Sequence, residues 1–243
     1  MIVITEPTDI FVAYCNFSII QAKYGAIIHL DFVQDSNVIF MNNIVQNTPQ
    51  INSHLFYLMY CQHMMFFNNT IINSNQIIFK ISESTIYIYQ NKFFNMSCND
   101  EFYFGCFINS NLGTIYLINS TINTIQSYME KYIIYVFDSN LFLLNSEMID
   151  LIALNSICLC YFETSNITLL NIVVDVYNKG FIWSINSNLS VKNSFFVQSK
   201  TTDFILTSLN DQFSAISCEE CLNFTIENST FKANKNLLSE SGV

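Results

Sequence analysis

The spacing of one residue type predicts an all-β fold, a parallel β-helix solenoid of about nine coils with an internal asparagine ladder. Three observations carry that prediction. Asparagine returns about once every 26 residues, at Asn16, Asn42, Asn68, Asn119, Asn145, Asn171, Asn193 and Asn228, with Gln90 standing in the same frame. Apolar residues precede each anchor by two and four positions, as Val38 and Phe40 precede Asn42, and another follows three positions later, as Val45 does. The apolar positions hold Ile, Val, Leu, Phe and Tyr, and only five glycines occur in 243 residues. The gaps between anchors, 22 to 35 residues, are the length of one solenoid coil and far exceed a heptad.

Each coil is read in order. It opens with a run that is apolar on both parities: Ala26–Leu30, Leu55–Met59, Ile77–Ile81, Phe104–Ile108, Ile133–Phe137, Ile157–Phe162, Phe181–Ile185 and Phe204–Ser208. Polar pairs such as Ser36-Asn37, Ser139-Asn140, Ser165-Asn166 and Ser187-Asn188 mark a bend. A second strand follows, with the two-residue alternation that turns positions −4 and −2 inward and −3 and −1 outward. The anchor then occupies a corner that demands φ > 0, which Asn tolerates better than other residues with a side chain. Parity places the anchor side chain inward, so the eight asparagines are expected to be buried and to pair as a ladder; beside Gln90, Asn91 takes over the rung after a one-residue shift. Coils stack about 4.8 Å apart, and none can bury its apolar face alone.

This frame resembles the right-handed parallel β-helix of the pectin-lyase-like superfamily, whose coils carry an asparagine at this turn. The resemblance covers about residues 8–236 and brings no catalytic motif. The Asn-, Ile- and Phe-rich composition also resembles the β-helix-repeat surface proteins of AT-rich protists, where such solenoids lie beside cysteine-rich modules and membrane spans.

One domain is expected over residues 1–243, because solenoids grow by addition, and it is read as a piece of a longer chain because neither end carries a recognisable cap. The net charge of −10 would repel a phosphate backbone, so nucleic acid is excluded as a partner. No apolar run approaches the roughly 20 residues that span a bilayer.

The chain has eight cysteines, which could form disulfides or hold a metal. Cys98 with Cys106 and Cys218 with Cys221 are close enough in sequence to bridge; Cys15, Cys61, Cys158 and Cys160 read as small buried hydrophobes. Cys218 and Cys221 have the spacing of half a zinc site, but no second pair follows and His29, His54 and His63 lie far upstream, so neither metal nor cofactor is expected. Acids recur at the bend, at Asp35, Glu83 and Asp138, two coils apart and too distant to act as a glycosidase pair. No catalytic residue is assigned.

The functional clue is an outward surface that should be polar and is not. Position −3 holds Ile39, Met65, Tyr87, Tyr116 and Phe142, and position −1 holds Met41, Phe67, Tyr89, Ile118 and Leu144; toward the C-terminus the same positions become Thr168, Ser190, Thr225, Lys192 and Glu227. An apolar face of this breadth predicts something that covers it, a protein partner, a flanking segment, a second copy or a carbohydrate. Eight Asn-x-Ser/Thr sequons occur; Asn16, Asn68, Asn119 and Asn228 are expected to be buried rungs, which leaves Asn95, Asn166, Asn188 and Asn223 as available acceptors. The first reading is a non-enzymatic rod for display, adhesion or assembly, extracellular or at the cell surface. The rivals are a carbohydrate-active β-helix with its catalytic parts elsewhere, and an intracellular scaffold.

Overall fold

A computed structural model describes residues 2–4, 9–18, 27–31, 37–48, 54–98, 105–127, 132–153, 158–177, 180–200 and 216–233. Among them every regular element is a β-strand, and the strands form three parallel sheets of nine. Successive strands in sequence visit sheets 1, 2 and 3 in turn and then return, which makes the chain a parallel β-solenoid.

Sheet 2 contains the alternating strands, Ile10–Ala13, Asn37–Met41, His63–Phe67, Thr85–Tyr89, Thr114–Ile118, Asn140–Leu144, Asn166–Leu170, Asn188–Lys192 and Asn223–Glu227. Their registers align the repeat as the sequence spacing requires, for example Ile86↔Ile115 and Ile88↔Leu117. Positions −4 and −2 are buried from Val38 and Phe40 through Leu189 and Val191, and position +3 is buried from Val45 through Phe196. In the last described layer Phe224 and Ile226 remain 46% and 42% exposed, because among the described residues no further layer stacks on them.

Sheet 1 supplies most of the fully buried phenylalanines among the described residues. Phe56, Phe79 and Phe107 are fully buried and meet the Phe of the other sheets edge to face, Phe56 with Phe66 at 4.5 Å and Phe107 with Phe93 at 4.8 Å between centroids. Each such ring contributes about 1.5–3 kcal/mol by burial and a further 0.5–1.5 kcal/mol by its aromatic contact.

Two boundaries differ from expectation. Ile2–Ile4, upstream of the expected start near Thr8, pairs with Ile28–Leu30 and so belongs to sheet 1. In the last layer the sheet 1 strand is Ile216–Glu219, bonded to Ile182–Ile185; the expected run 204–208 lies outside the described residues.

The asparagine anchors sit at the expected corner but face the opposite way. Asn42, Asn68, Gln90, Asn119, Asn145, Asn171, Asn193 and Asn228 all have φ between 48° and 56°. Yet Asn68, Asn119, Asn145, Asn171, Asn193 and Asn228 are exposed, and Asn42 is half-buried. Asn16, expected as the first anchor, is exposed too but is not at the corner: Tyr14 takes φ 57° there, and Asn16 pairs with Ile44 at the start of the next strand. The left-handed residue interrupts the two-residue alternation: the anchor stays outside with its predecessor, and the next residue turns in. The internal ladder is therefore Asn43, Asn69 and Asn91, which continues as Ser120 and Ser146. Their side chains accept the backbone N–H one coil earlier: Asn43 donates to Asn69 Oδ1 at 2.9 Å, Asn69 to Asn91 Oδ1 at 2.8 Å, and Asn91 to Ser120 Oγ at 3.2 Å. The outer anchors form amide pairs of their own at the exposed surface, Asn68 to Asn42 at 2.7 Å and Asn171 to Asn145 at 2.8 Å.

The corner between sheets 1 and 2 repeats this device with serine. Glu83, Asp138, Thr164 and Asn186 take φ between 45° and 49°, and the residue after each, Ser84, Ser139, Ser165 or Ser187, is buried. Gly113 N donates to Ser139 Oγ at 2.9 Å, Ser139 N to Ser165 Oγ at 3.1 Å, and Ser165 N to Ser187 Oγ at 3.0 Å. Each serine hydroxyl also donates back to the carbonyl two residues earlier, as Ser139 does to Phe137 at 2.7 Å, so donor and acceptor are both used.

Candidate interaction face

The outer side of sheet 2 carries two continuous rows. Strand pairing places Ile39, Met65, Tyr87, Tyr116 and Phe142 in one row, and Met41, Phe67, Tyr89, Ile118 and Leu144 in the other. None of the ten is buried, and Met65 and Tyr87 are 45% and 36% exposed, so the inside-outside assignment from parity holds along this strand. The first row continues as Thr168, Ser190 and Thr225; the second as Leu170, Lys192 and Glu227. Lys192 Nζ and Glu227 pair at 3.1 Å, an exposed ion pair of the kind that contributes about 0–1 kcal/mol.

The rings in these rows stack on one another. Tyr87 and Tyr116 lie 4.8 Å apart with a 4° interplanar angle, Tyr116 and Phe142 4.7 Å apart at 6°, and Phe67 and Tyr89 5.5 Å apart at 8°. Nearly parallel rings this close cannot lie side by side in one plane, so their faces meet along the solenoid axis and their edges point outward. Both faces of Tyr116 are taken. The surface offered to a partner is a ridge of ring edges and methylenes without a formal charge.

A second outward aromatic row, on sheet 1, was not legible from the outward positions of sheet 2. Registers align Tyr135, Tyr161 and Trp183. Tyr135 and Tyr161 stack at 5.5 Å, Trp183 meets Tyr161 edge on at 5.6 Å, and Tyr132 lies 4.9 Å from Tyr161. Tyr161 donates to Glu163 at 2.9 Å and Trp183 to Glu219 at 3.0 Å. Burial raises the Tyr132 hydroxyl to about 12, and burial together with Glu163 raises that of Tyr161. The available signal was an aromatic residue inside successive doubly apolar runs, which the structure aligns at the fourth position of the strands Tyr132–Phe137, Cys158–Glu163 and Gly180–Ile185.

The acids do not converge. Glu83 and Asp138 are exposed at the same corner, two coils apart, with Leu112 between them. Tyr60 holds the matching corner position before Glu83, and its hydroxyl, hydrogen-bonded to Glu83, titrates above its ordinary range. Asp35 lies outside the described residues. Among the described residues no group of three His, Cys, Asp or Glu side chains is arranged to hold a metal ion. Nor, among them, is any helix long and apolar enough to cross a membrane.

Cys218 and Cys221 form a disulfide with their Cα atoms 5.8 Å apart, and Cys106 is also disulfide-bonded; the side chain of Cys98 lies outside the described residues. Cys61, Cys158 and Cys160 are buried as expected, whereas Cys15 is exposed because it belongs to the first layer. Burial drives the Cys160 thiol well above its usual range. A polar groove of about 420 Å³ opens beside sheet 3, lined by Asn47, Asn73, Asn95 and Gln126 among others.

Comparison with protein-family models, curated proteins and solved structures gave no match. The reading of function therefore rests on the molecule's own surface.

Proposed function

We propose that this chain is a non-enzymatic interaction module, a rigid β-solenoid rod that docks an apolar protein surface, a partner or a flanking segment, along sheet 2 between Ile39 and Leu144. The single observation that supports it most is the edge-on aromatic ridge. Its rings already use their faces on one another, which disfavours a sugar stacked flat on Tyr116 and favours an apolar protein surface. The ridge's apolar area is contiguous across five strands, whereas isolated exposed apolar residues would need no explanation. Surface display, adhesion or assembly suits such a rod, and the resemblance to pectin-lyase-like β-helices and to protist surface proteins fits this use.

The test is the triple variant Tyr87→Ser/Tyr116→Ser/Phe142→Ser. The parent chain is expected to self-associate or to bind a hydrophobic dye, and the variant to lose both while staying folded. Its thermal midpoint should fall by only a few degrees, because about 0.5–1.5 kcal/mol per lost ring pair is at stake. Equal dye binding and association by the two proteins would refute the proposal.

A further inference from the structure

On the sheet face that offers the ridge, the row that ends in Phe142 is apolar up to that residue and carries hydroxyls from Thr168 on. We propose that Asn166, Asn188 and Asn223 are acceptors for N-linked oligosaccharide, so that sheet 2 is divided into a bare docking half and a glycan-bearing half. This inference rests on the surface reading above and extends it.

The three asparagines pair in register on consecutive strands, and so do the hydroxyl residues two positions on, Thr168, Ser190 and Thr225. Extended backbone points residues i and i+2 to the same side, so each acceptor amide lies beside its sequon hydroxyl on the outer surface. Ile167 and Leu189, between them, are buried. Asn166 and Asn223 are exposed and Asn188 is half-exposed. In the apolar half the equivalent pairs are Asn37 with Ile39, His63 with Met65, Thr85 with Tyr87, Thr114 with Tyr116 and Asn140 with Phe142. No sequon arises there even where asparagine is present. The apolar row ends and the sequons begin at one strand boundary.

Burial segregates in the same sense. Asn43, Asn69, Asn91 and Asn109, the buried asparagines among the described residues, are not sequons. The corner sequons Asn68, Asn119 and Asn228 and the strand residue Asn16, all four expected to be hidden as rungs, are exposed.

The chemistry is compatible with the ladder the acceptors form. Asn188 Nδ2 donates to Asn166 Oδ1 at 2.7 Å and Asn223 Nδ2 to Asn188 Oδ1 at 2.8 Å, each with one of two N–H groups. Transfer joins Nδ2 to the anomeric carbon of an oligosaccharide carried on a lipid diphosphate. The anomeric carbon–oxygen bond breaks, the diphosphate leaves with the electron pair, and Nδ2 gives up one proton. One N–H remains for the ladder. Rungs about 4.8 Å apart are closer than a glycan is wide, so occupancy of Asn166 and Asn223, two rungs apart, should exclude Asn188.

The experiment expresses the full chain with a secretory leader in eukaryotic cells and maps occupied sites by glycosidase release in heavy-oxygen water, followed by peptide mass spectrometry. Conversion to labelled aspartate is expected at Asn166 and Asn223. Thr168→Ala/Ser190→Ala/Thr225→Ala, which leaves every ladder amide in place, should abolish it. Glycans confined to the other sequons, Asn16, Asn68, Asn95, Asn119 and Asn228, or none at all, would overturn the proposal. Dye binding by the ridge is read on the same samples: loss of the dye signal with glycans present would count against the docking reading alone, and the reverse against the partition alone.

Discussion

Asn91 accepts two hydrogen bonds from Asn69 on one amide oxygen, from the backbone N–H at 2.8 Å and from Nδ2 at 2.9 Å. Asn69 receives the same pair from Asn43, at 2.9 and 3.1 Å. Because these residues are buried, replacing Asn91 with Leu strands two donors that water cannot reach. The expected loss is about 1–3 kcal/mol, measured by urea denaturation. Asn145→Gly, at an exposed anchor, keeps the φ > 0 corner and should change stability by about 0.5 kcal/mol or less. Equal losses in the two variants would remove the inner ladder from the account of stability.

His54 is buried at the start of its sheet 1 strand, and burial, with Lys80 and His29 near it, lowers its pKa from 6.5 to about 3. The folded state holds it neutral while the unfolded chain takes up a proton below about pH 6.5. Its stabilising contribution is thus complete above that pH and is lost as pH falls toward about 3, with a slope up to about 1.4 kcal/mol per unit. His54→Leu should flatten the curve between pH 6.5 and 5 relative to the parent, as read from urea midpoints.

Gly113 occupies a serine-ladder rung where a Cβ would lie 2.7 Å from Ser110 Oγ and 3.0 Å from Ile81 Cγ2. Ser110 fills that space and its hydroxyl meets Ser139 Oγ at 3.1 Å. Gly113→Ala should cost about 1–3 kcal/mol, and Ser110→Ala in the same chain should recover part of it. A double-mutant cycle with no coupling between the two would contradict the packing described.

Glu83 and Asp138 are separated by two coil spacings, about 10 Å, beyond the roughly 5–9.5 Å used by paired glycosidase carboxylates. Purified protein is expected to leave pectate and pectin intact with or without calcium. Turnover abolished by Glu83→Gln or Asp138→Asn would reverse the non-enzymatic reading.

The strand order, the inward positions such as Val38, Phe40 and Val45, and the outward rows were legible because they depend on alternation within one strand. The rung was misread at Asn145 and Asn171 because alternation does not survive a φ > 0 residue, which the same asparagines supply. Asn91, noticed beside Gln90 as a local shift, shows the rule for every coil. The serines at positions 139, 165 and 187 were visible as bend markers, but that their hydroxyls accept from the preceding coil depends on burial; Ser84, which does the same, carried no such mark. The sheet 1 aromatic row, Tyr135, Tyr161 and Trp183, escaped because those runs are apolar on both parities.

Both inner ladders have a direction. The backbone N–H groups of Cys15, Asn43 and Asn69 donate forward at one corner, and those of Cys61, Gly113 and Ser139 at the other, each to a side chain the chain has yet to make. During synthesis the newest coil therefore carries unmet donors until its successor emerges, so the growing end is the least stable layer at every moment. Pulling or heating should peel the molecule from its last coil backward, one layer at a time, like a ratchet whose pawl is always the next residue type at the corner.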